Sequence, residues 1–227
     1  MTARMADPRL QDPRTLGLQD SRTLWTEWHE WPTLDVLRAI LGKVLVHERR
    51  GRRTSGLVVE AEAYIGEDDP ACHAAAGLTR RTAPMYGRPG CAYVYFNYGM
   101  HHLVNVVTER VGFPAAILIR ALQPYEGLDL MRRRRPGVPD ERLCAGPGNL
   151  TRALGIDLRH NTTDLATGAV RLEDHGFQPE DVAYSTRIGI RVGTDKLWRA
   201  CTPGLGGRVC FPQKPRKRGQ VSGARDI

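Results

Sequence analysis

The order of apolar and polar positions predicts more strands than helices. In residues 57–65 the odd positions Leu57, Val59, Ala61, Ala63 and Ile65 are all apolar, and the even positions are Val58, Glu60, Glu62 and Tyr64. Successive side chains of a strand point to opposite faces, so the odd face is expected in the core. Other strand-like runs cover residues 44–47, 92–97, 103–108 and 115–122, each bounded by Gly, Pro or Asn, and a late strand is expected from Arg187 to Val192. Leu34, Leu37, Ile40 and Leu41 have the spacing of a helix face, with Thr33 placed to cap it. A short helix is expected to end with Arg132 to Arg135 before Pro136, and another opens near Gly146 and closes at Gly155. Short turns between neighbouring strands favour antiparallel pairing. The fold class is therefore α+β, a single domain with a largely antiparallel curved β-sheet and surrounding short helices, rather than a βαβ array.

A second strand pattern carries aromatic residues. Tyr93, Tyr95 and Asn97 share one face of their strand, and Val94 and Phe96 share the other, which is expected to be core. Tyr98-Gly99 then marks a turn into residues 102–108, the profile of a hairpin with an exposed tyrosine at its tip. Residues 1–24 hold two imperfect copies of one phrase, Leu10 to Leu16 and Leu18 to Leu24, too short for a solenoid repeat, and they are read as a tail. Residues 213–227 form a second, basic tail, which leaves 25–212 as the domain.

Length and composition narrow the class. A chain of 227 residues with 41% hydrophobic content can bury roughly 70% of its surface and needs no staples. No apolar stretch approaches the length of a membrane span, and the first thirty residues are polar with both charge signs. A cytoplasmic protein without membrane contact is expected. The balance of 33 Lys plus Arg against 25 Asp plus Glu gives +8, which leans toward a polyanionic partner. Five cysteines without a Cys-x-x-Cys pair argue for reduced thiols and against a zinc site.

The candidate chemistry sits on the even face of residues 57–65. Glu60, Glu62 and Tyr64 line up there with neighbouring Cα atoms about 6–7 Å apart. The strand runs into Gly66-Glu-Asp-Asp-Pro-Ala-Cys-His73, which brings an imidazole close. Two carboxylates so near each other are expected to raise one carboxyl pKa, a route to a base useful near neutrality. Tyrosine rows in a basic protein fit platforms on which nucleic-acid bases stack, worth about 1–3 kcal/mol each.

These stretches resemble the alkyladenine (3-methyladenine) DNA glycosylases that are not built on helix-hairpin-helix. The resemblance rests on Leu41-Gly-Lys-Val-Leu-Val, Val59-Glu-Ala-Glu-Ala-Tyr-Ile-Gly, Asp69-Pro-Ala-Cys-His, Met85-Tyr-Gly-Arg-Pro-Gly and Tyr93-Val-Tyr-Phe-Asn-Tyr-Gly-Met-His. Asn105-Val-Val, Leu118-Ile-Arg-Ala-Leu, Leu143-Cys-Ala-Gly-Pro-Gly and Arg187-Ile-Gly-Ile follow in family order, so the likeness runs from about residue 34 to 199. It implies a monofunctional enzyme that extrudes alkylated purines from double-stranded DNA and hydrolyses the N-glycosidic bond. The implied lesions are 3-methyladenine and 7-methylguanine, with hypoxanthine and ethenoadenine as further candidates. The implied enzyme is a monomer and needs no cofactor or metal.

By that resemblance Glu62 is the base that activates water, and Glu60 is structural. Tyr64, His73 and Tyr95 form the slot around the extruded base, and Asn105 clashes with the amino group of normal guanine. Arg120 is a substrate-side contact. Tyr98 enters the duplex and Met85 wedges beside the lesion. The chain departs from the family pattern at Ala61, Arg81-Thr82, Asn149, Thr186, Leu197 and Ala200, none of them a proposed base or stacking residue. A competing reading is a non-catalytic module that holds damaged or single-stranded nucleic acid, which explains charge and aromatics but not a carboxylate in the binding surface. A helix-hairpin-helix enzyme is rejected because Pro139 removes an N–H from the loop that would hold phosphate. A carbohydrate hydrolase is disfavoured because Glu60 and Glu62 share one strand face and cannot flank a bond.

Overall fold

The computed structural model describes residues 31–97 and 99–203. Both expected tails and Tyr98 lie outside the described residues. Helix α1 (Thr33–Ala39) leads into β1 (Val44–Arg49) and the long β2 (Arg52–Ile65); β3 (Ala92–Asn97) and β4 (His101–Val107) form the aromatic hairpin; β5 (Ala115–Glu126) follows. Two helices, α2 (Leu128–Arg134) and α3 (Pro147–Leu154), precede the short β6 (Val170–Glu173), β7 (Ala183–Ser185) and β8 (Arg199–Cys201).

The sheet is antiparallel in the order β3-β4-β5-β2-β1-β6. Strand β2 has one edge on β5 and divides the other: β1 pairs with its first half, and β8 pairs with Glu60, Ala61 and Glu62. This is the α+β architecture expected, with a curved sheet and short helices around it. Helices α1, α2 and α3 cover one face, where Val36, Leu37, Ile40, Met131, Leu150 and Leu154 join Ala61, Ala63, Val94, Ile117 and Ile119 in the main core. Each such Leu or Ile contributes roughly 1.5–3 kcal/mol by leaving water.

Four expectations change in three dimensions. The alternation along β2 is interrupted: the register with β5 steps from Val58↔Leu122 to Glu60↔Ala121 and then to Ala61↔Ile119, so Val59 and Arg120 are each passed over. These facing bulges put Val58, not Val59, into the main core and turn Arg120 toward the two glutamates. Thr33 does not cap α1, whose N-cap is Pro32; its N–H and hydroxyl instead donate to Glu109 at 2.7 and 2.8 Å. Phe96 is 47% exposed rather than core, and packs its ring 5.0 Å from that of His102. The late strand expected from Arg187 is irregular, and the strands nearby are β7 and β8. Gly189 has φ +82, which breaks a strand, and the Ile188 N–H is spent on a carboxylate instead of a ladder.

Candidate active site

Below the aromatic hairpin lies a cavity of about 350 Å³. Tyr64 from the end of β2, Tyr93 and Tyr95 from β3, Asn105 from β4 and Leu118 and Arg120 from β5 all line it. His73 and Met85 arrive on two short 3₁₀ turns, His73–Ala76 and Ala83–Tyr86. The loop 188–190 and Pro147, at the start of α3, complete the wall. Gly148 lets α3 approach the hairpin: a Cβ there would sit 2.7 Å from the His101 ring.

Glu62 stands behind this wall and is 0% exposed. It is not sealed in apolar packing. Tyr64 Oη donates to Oε2 at 2.9 Å, Arg120 Nη1 to the same oxygen at 3.1 Å, and the Ile188 N–H to Oε1 at 2.7 Å. Tyr64, Arg120 and Ile188 all line the cavity, so the carboxylate is one side chain away from it. An ionised carboxylate offers about four acceptor sites, and three are filled. Burial pushes the Glu62 carboxyl above its ordinary range, against Arg120, the Ile188 N–H and Tyr64, which favour the ionised form. The charge of Glu60 adds the same upward push but is the weakest of these influences; burial leads, not the like-charge pair expected from the sequence. Glu60 has its own occupation: its Oε1 accepts from Arg120 Nε at 2.8 Å and from Arg199 Nε at 2.7 Å. Arg120, its side chain 11% exposed, thus spans both glutamates.

The aromatic wall is a set of edge and tilted contacts. His73 meets Tyr95 edge-on at 4.5 Å, and Tyr93 and Tyr95 lie 5.2 Å apart at 33°. His73 Nδ1 lies 2.9 Å from Tyr93 Oη, and Arg81 donates from Nη2 toward His73 Nε2 at 3.4 Å. Burial, with Arg81 nearby, lowers the His73 pKa to about 4, so the ring is neutral at ordinary pH. Arg81 also packs over the Tyr95 ring at 5.2 Å. Asn105 is buried and spends its amide N–H on the Tyr93 carbonyl at 2.9 Å.

Of the residues singled out in the sequence, Tyr64, His73, Tyr95, Asn105, Arg120 and Met85 meet around one cavity, with Glu62 directly behind. Met85, for which the resemblance implies a wedge beside the lesion, is 2% exposed and packed with Tyr93, Val107 and Ala116. Tyr98 lies outside the described residues. Sequence reasoning did not select Tyr93 as a site residue, although it stood on the same strand face as Tyr95. It also passed over the Ile188 N–H, a backbone donor that leaves no side-chain signature. The third omission is the pair that holds that loop. Arg187, buried, binds Asp69 through both terminal nitrogens and lies 4.7 Å from the Tyr64 ring centre. Both residues fall inside recognised motifs, but only the fold brings them together.

Comparison with known proteins identifies the family. The family model for methylpurine-DNA glycosylase matches residues 27–205. A relative from Chlorobium phaeobacteroides is 48% identical over 170 residues, covering 74% of this chain and 85% of its own. One from Chlorobaculum tepidum is 45% identical over 181 residues, with 78% and 86% covered, and one from Sodalis glossinidius is 47% identical over 174, with 74% and 89% covered. All three are provisionally named 3-methyladenine DNA glycosylases. With a carboxylate behind a tyrosine-walled cavity and a match across most of its length, this chain belongs to the methylpurine-DNA glycosylase family, hydrolases of N-glycosyl bonds that act in DNA repair.

Proposed function

We propose that the protein is a monomeric, monofunctional glycosylase that takes 3-methyladenine and 7-methylguanine out of double-stranded DNA. The observation that carries the reading is the placement of Glu62, its carboxylate held by three donors that themselves line a base-sized aromatic cavity. A purine inside a stacked duplex must be rotated out for its anomeric carbon to be reached, at a cost of a few kcal/mol. Tyr98, by its sequence position between β3 and β4, is the residue to fill the gap left behind.

Alkylation at a ring nitrogen leaves the purine cationic. Tyrosine faces attract such a ring, and a neutral His73 adds no opposing charge. The Arg120 guanidinium is matched by Glu60 and Glu62. As the glycosidic bond lengthens, positive charge builds on the sugar. Glu62 stabilises that charge and uses its remaining acceptor site to take a proton from the attacking water, while Arg120 and the Ile188 N–H keep the carboxylate aimed.

The test is Glu62→Gln, which keeps shape and most hydrogen bonds but cannot take the proton. Release of free bases from alkylated DNA should fall about 10²–10⁴-fold, with binding to the same DNA retained. Unchanged release overturns the assignment of Glu62. If the unmodified protein binds alkylated DNA and releases no base, the non-catalytic module is the correct reading.

A further inference from the structure

The hydrogen bonds behind the aromatic wall run in one direction. A guanidinium only donates, and Arg81 approaches His73 at Nε2. Nε2 is therefore an acceptor. The ring is neutral, so its one proton sits on Nδ1, which faces Tyr93 Oη at 2.9 Å. The phenol oxygen accepts that proton. Its other hydrogen-bond partner is again Arg81, also a donor. The hydroxyl proton of Tyr93 is thus left without an acceptor among the described residues, although the side chain is almost fully buried and lines the cavity.

We propose that Tyr93 donates a hydrogen bond from its hydroxyl to a ring nitrogen of the extruded purine, and that Arg81 and His73 are positioning residues that hold the phenol as a donor. This rests on the glycosylase reading and names the group that would serve the neutral lesions the resemblance already implies. When the C1′–N9 bond breaks, its electron pair stays on the purine. In a cationic alkylated purine that pair cancels the charge already present. In a neutral lesion such as hypoxanthine it leaves an anionic ring, which requires a donor. Tyr93 shares its proton without releasing it, in keeping with a phenol whose pKa burial pushes up. Water supplies hydroxide to C1′, its proton passes to Glu62, and the purine then takes up a proton from solvent. Such a donor assists the departure of neutral purines with a ring-nitrogen lone pair and is dispensable for cationic ones.

The experiment measures single-turnover release of hypoxanthine and of 7-methylguanine from duplex DNA by the unmodified protein, Tyr93→Phe and Arg81→Ala. Tyr93→Phe keeps the ring and removes the donor. Its hypoxanthine release should fall about 10²-fold, the effect of losing one preorganised donor, far more than its 7-methylguanine release, so the ratio of the two rates is the readout. Arg81→Ala should lose part of the hypoxanthine activity. By ¹⁵N NMR, His73 should shift from the pure Nδ1–H tautomer to a mixture, a change that lost packing alone would not produce. Equal losses on both lesions, no loss on either, or an Nε2–H tautomer in the unmodified protein would overturn the proposal. So would release of 7-methylguanine without any hypoxanthine release. Failure of the unmodified protein to release either base would instead count against the glycosylase reading itself.

Discussion

Replacing Asp69 by Ala tests how the loop bearing Ile188 is held. Both side chains of the Asp69–Arg187 pair are 0% exposed. Arg187 Nη2 donates to Asp69 Oδ1 at 2.8 Å, and Nη1 binds the second oxygen. The guanidinium also reaches the Ala63 and Gly193 carbonyls at 3.0 and 3.2 Å, and lies 5.2 Å from the Trp198 ring centre. Burial pushes the Asp69 carboxyl up, but Arg187 and the N–H groups of Ala71 and Ile65 outweigh it and hold it below its ordinary value. Asp69→Ala leaves a buried cation facing two carbonyls, with Nε already lacking a partner. Breaking a buried pair from one side costs about 3–5 kcal/mol. At about 2–4 °C per kcal/mol for a domain of this size, Tm should fall by roughly 6–20 °C. Base release should fall as well at a temperature where the variant is fully folded, since Ile188 adjoins Arg187 and supplies one of the three donors to Glu62. The measurements are thermal unfolding by circular dichroism and single-turnover release. A second variant, Asp69→Leu with Arg187→Met, removes both charges and should regain most of the lost Tm without regaining activity. A fall in Tm of less than 2 °C, or a double variant no more stable than the single one, would mean that the Asp69–Arg187 pair does not hold this loop.

Two further outcomes concern pH. Burial raises the Glu62 carboxyl, so kcat/KM should drop with falling pH along a limb above the ordinary glutamate value of about 4.3. His73, neutral down to about pH 4, adds no imidazole limb near neutrality; a profile flat down to pH 4 would contradict this account. His47 is buried beside His160, their ring centres 4.6 Å apart. Burial lowers the pKa of both. The folded state then binds fewer protons than the unfolded chain below the unperturbed value of about 6.5. The stability these groups contribute is therefore complete above that pH and lost as pH falls through it. Tm should decline as pH falls below about 6.5 toward the lowered folded values, and His47→Gln should flatten the decline; an unchanged slope in that variant would exclude His47 as its source.

Much of the architecture was legible in the chain. Strong period-2 runs with Gly and Pro punctuation located β1 to β5, because a half-buried strand must alternate. Local spacing could not locate the two bulges, since a bulge answers to the partner strand: Val59 and Arg120 are displaced together, on facing strands. Phe96 has the composition of a core residue, yet the face opposite the tyrosines leaves the packed region at the hairpin end. The motif at Arg187 alternates like a strand, but its backbone is committed to Glu62 and its first side chain to Asp69.

By itself the sequence determined the kinds of groups available: a carboxylate two residues before a tyrosine, a tyrosine row, an imidazole, a basic surface and the order of the family's motifs. Those follow from side-chain identity and strand periodicity, which are local properties. The tertiary structure alone decided which groups share a cavity, that Glu62 stands behind rather than on its wall, and which way the protons between Arg81, His73 and Tyr93 point. These depend on burial and on partners 8 to 126 residues apart in the chain, and neither desolvation nor hydrogen-bond direction is defined before such partners meet.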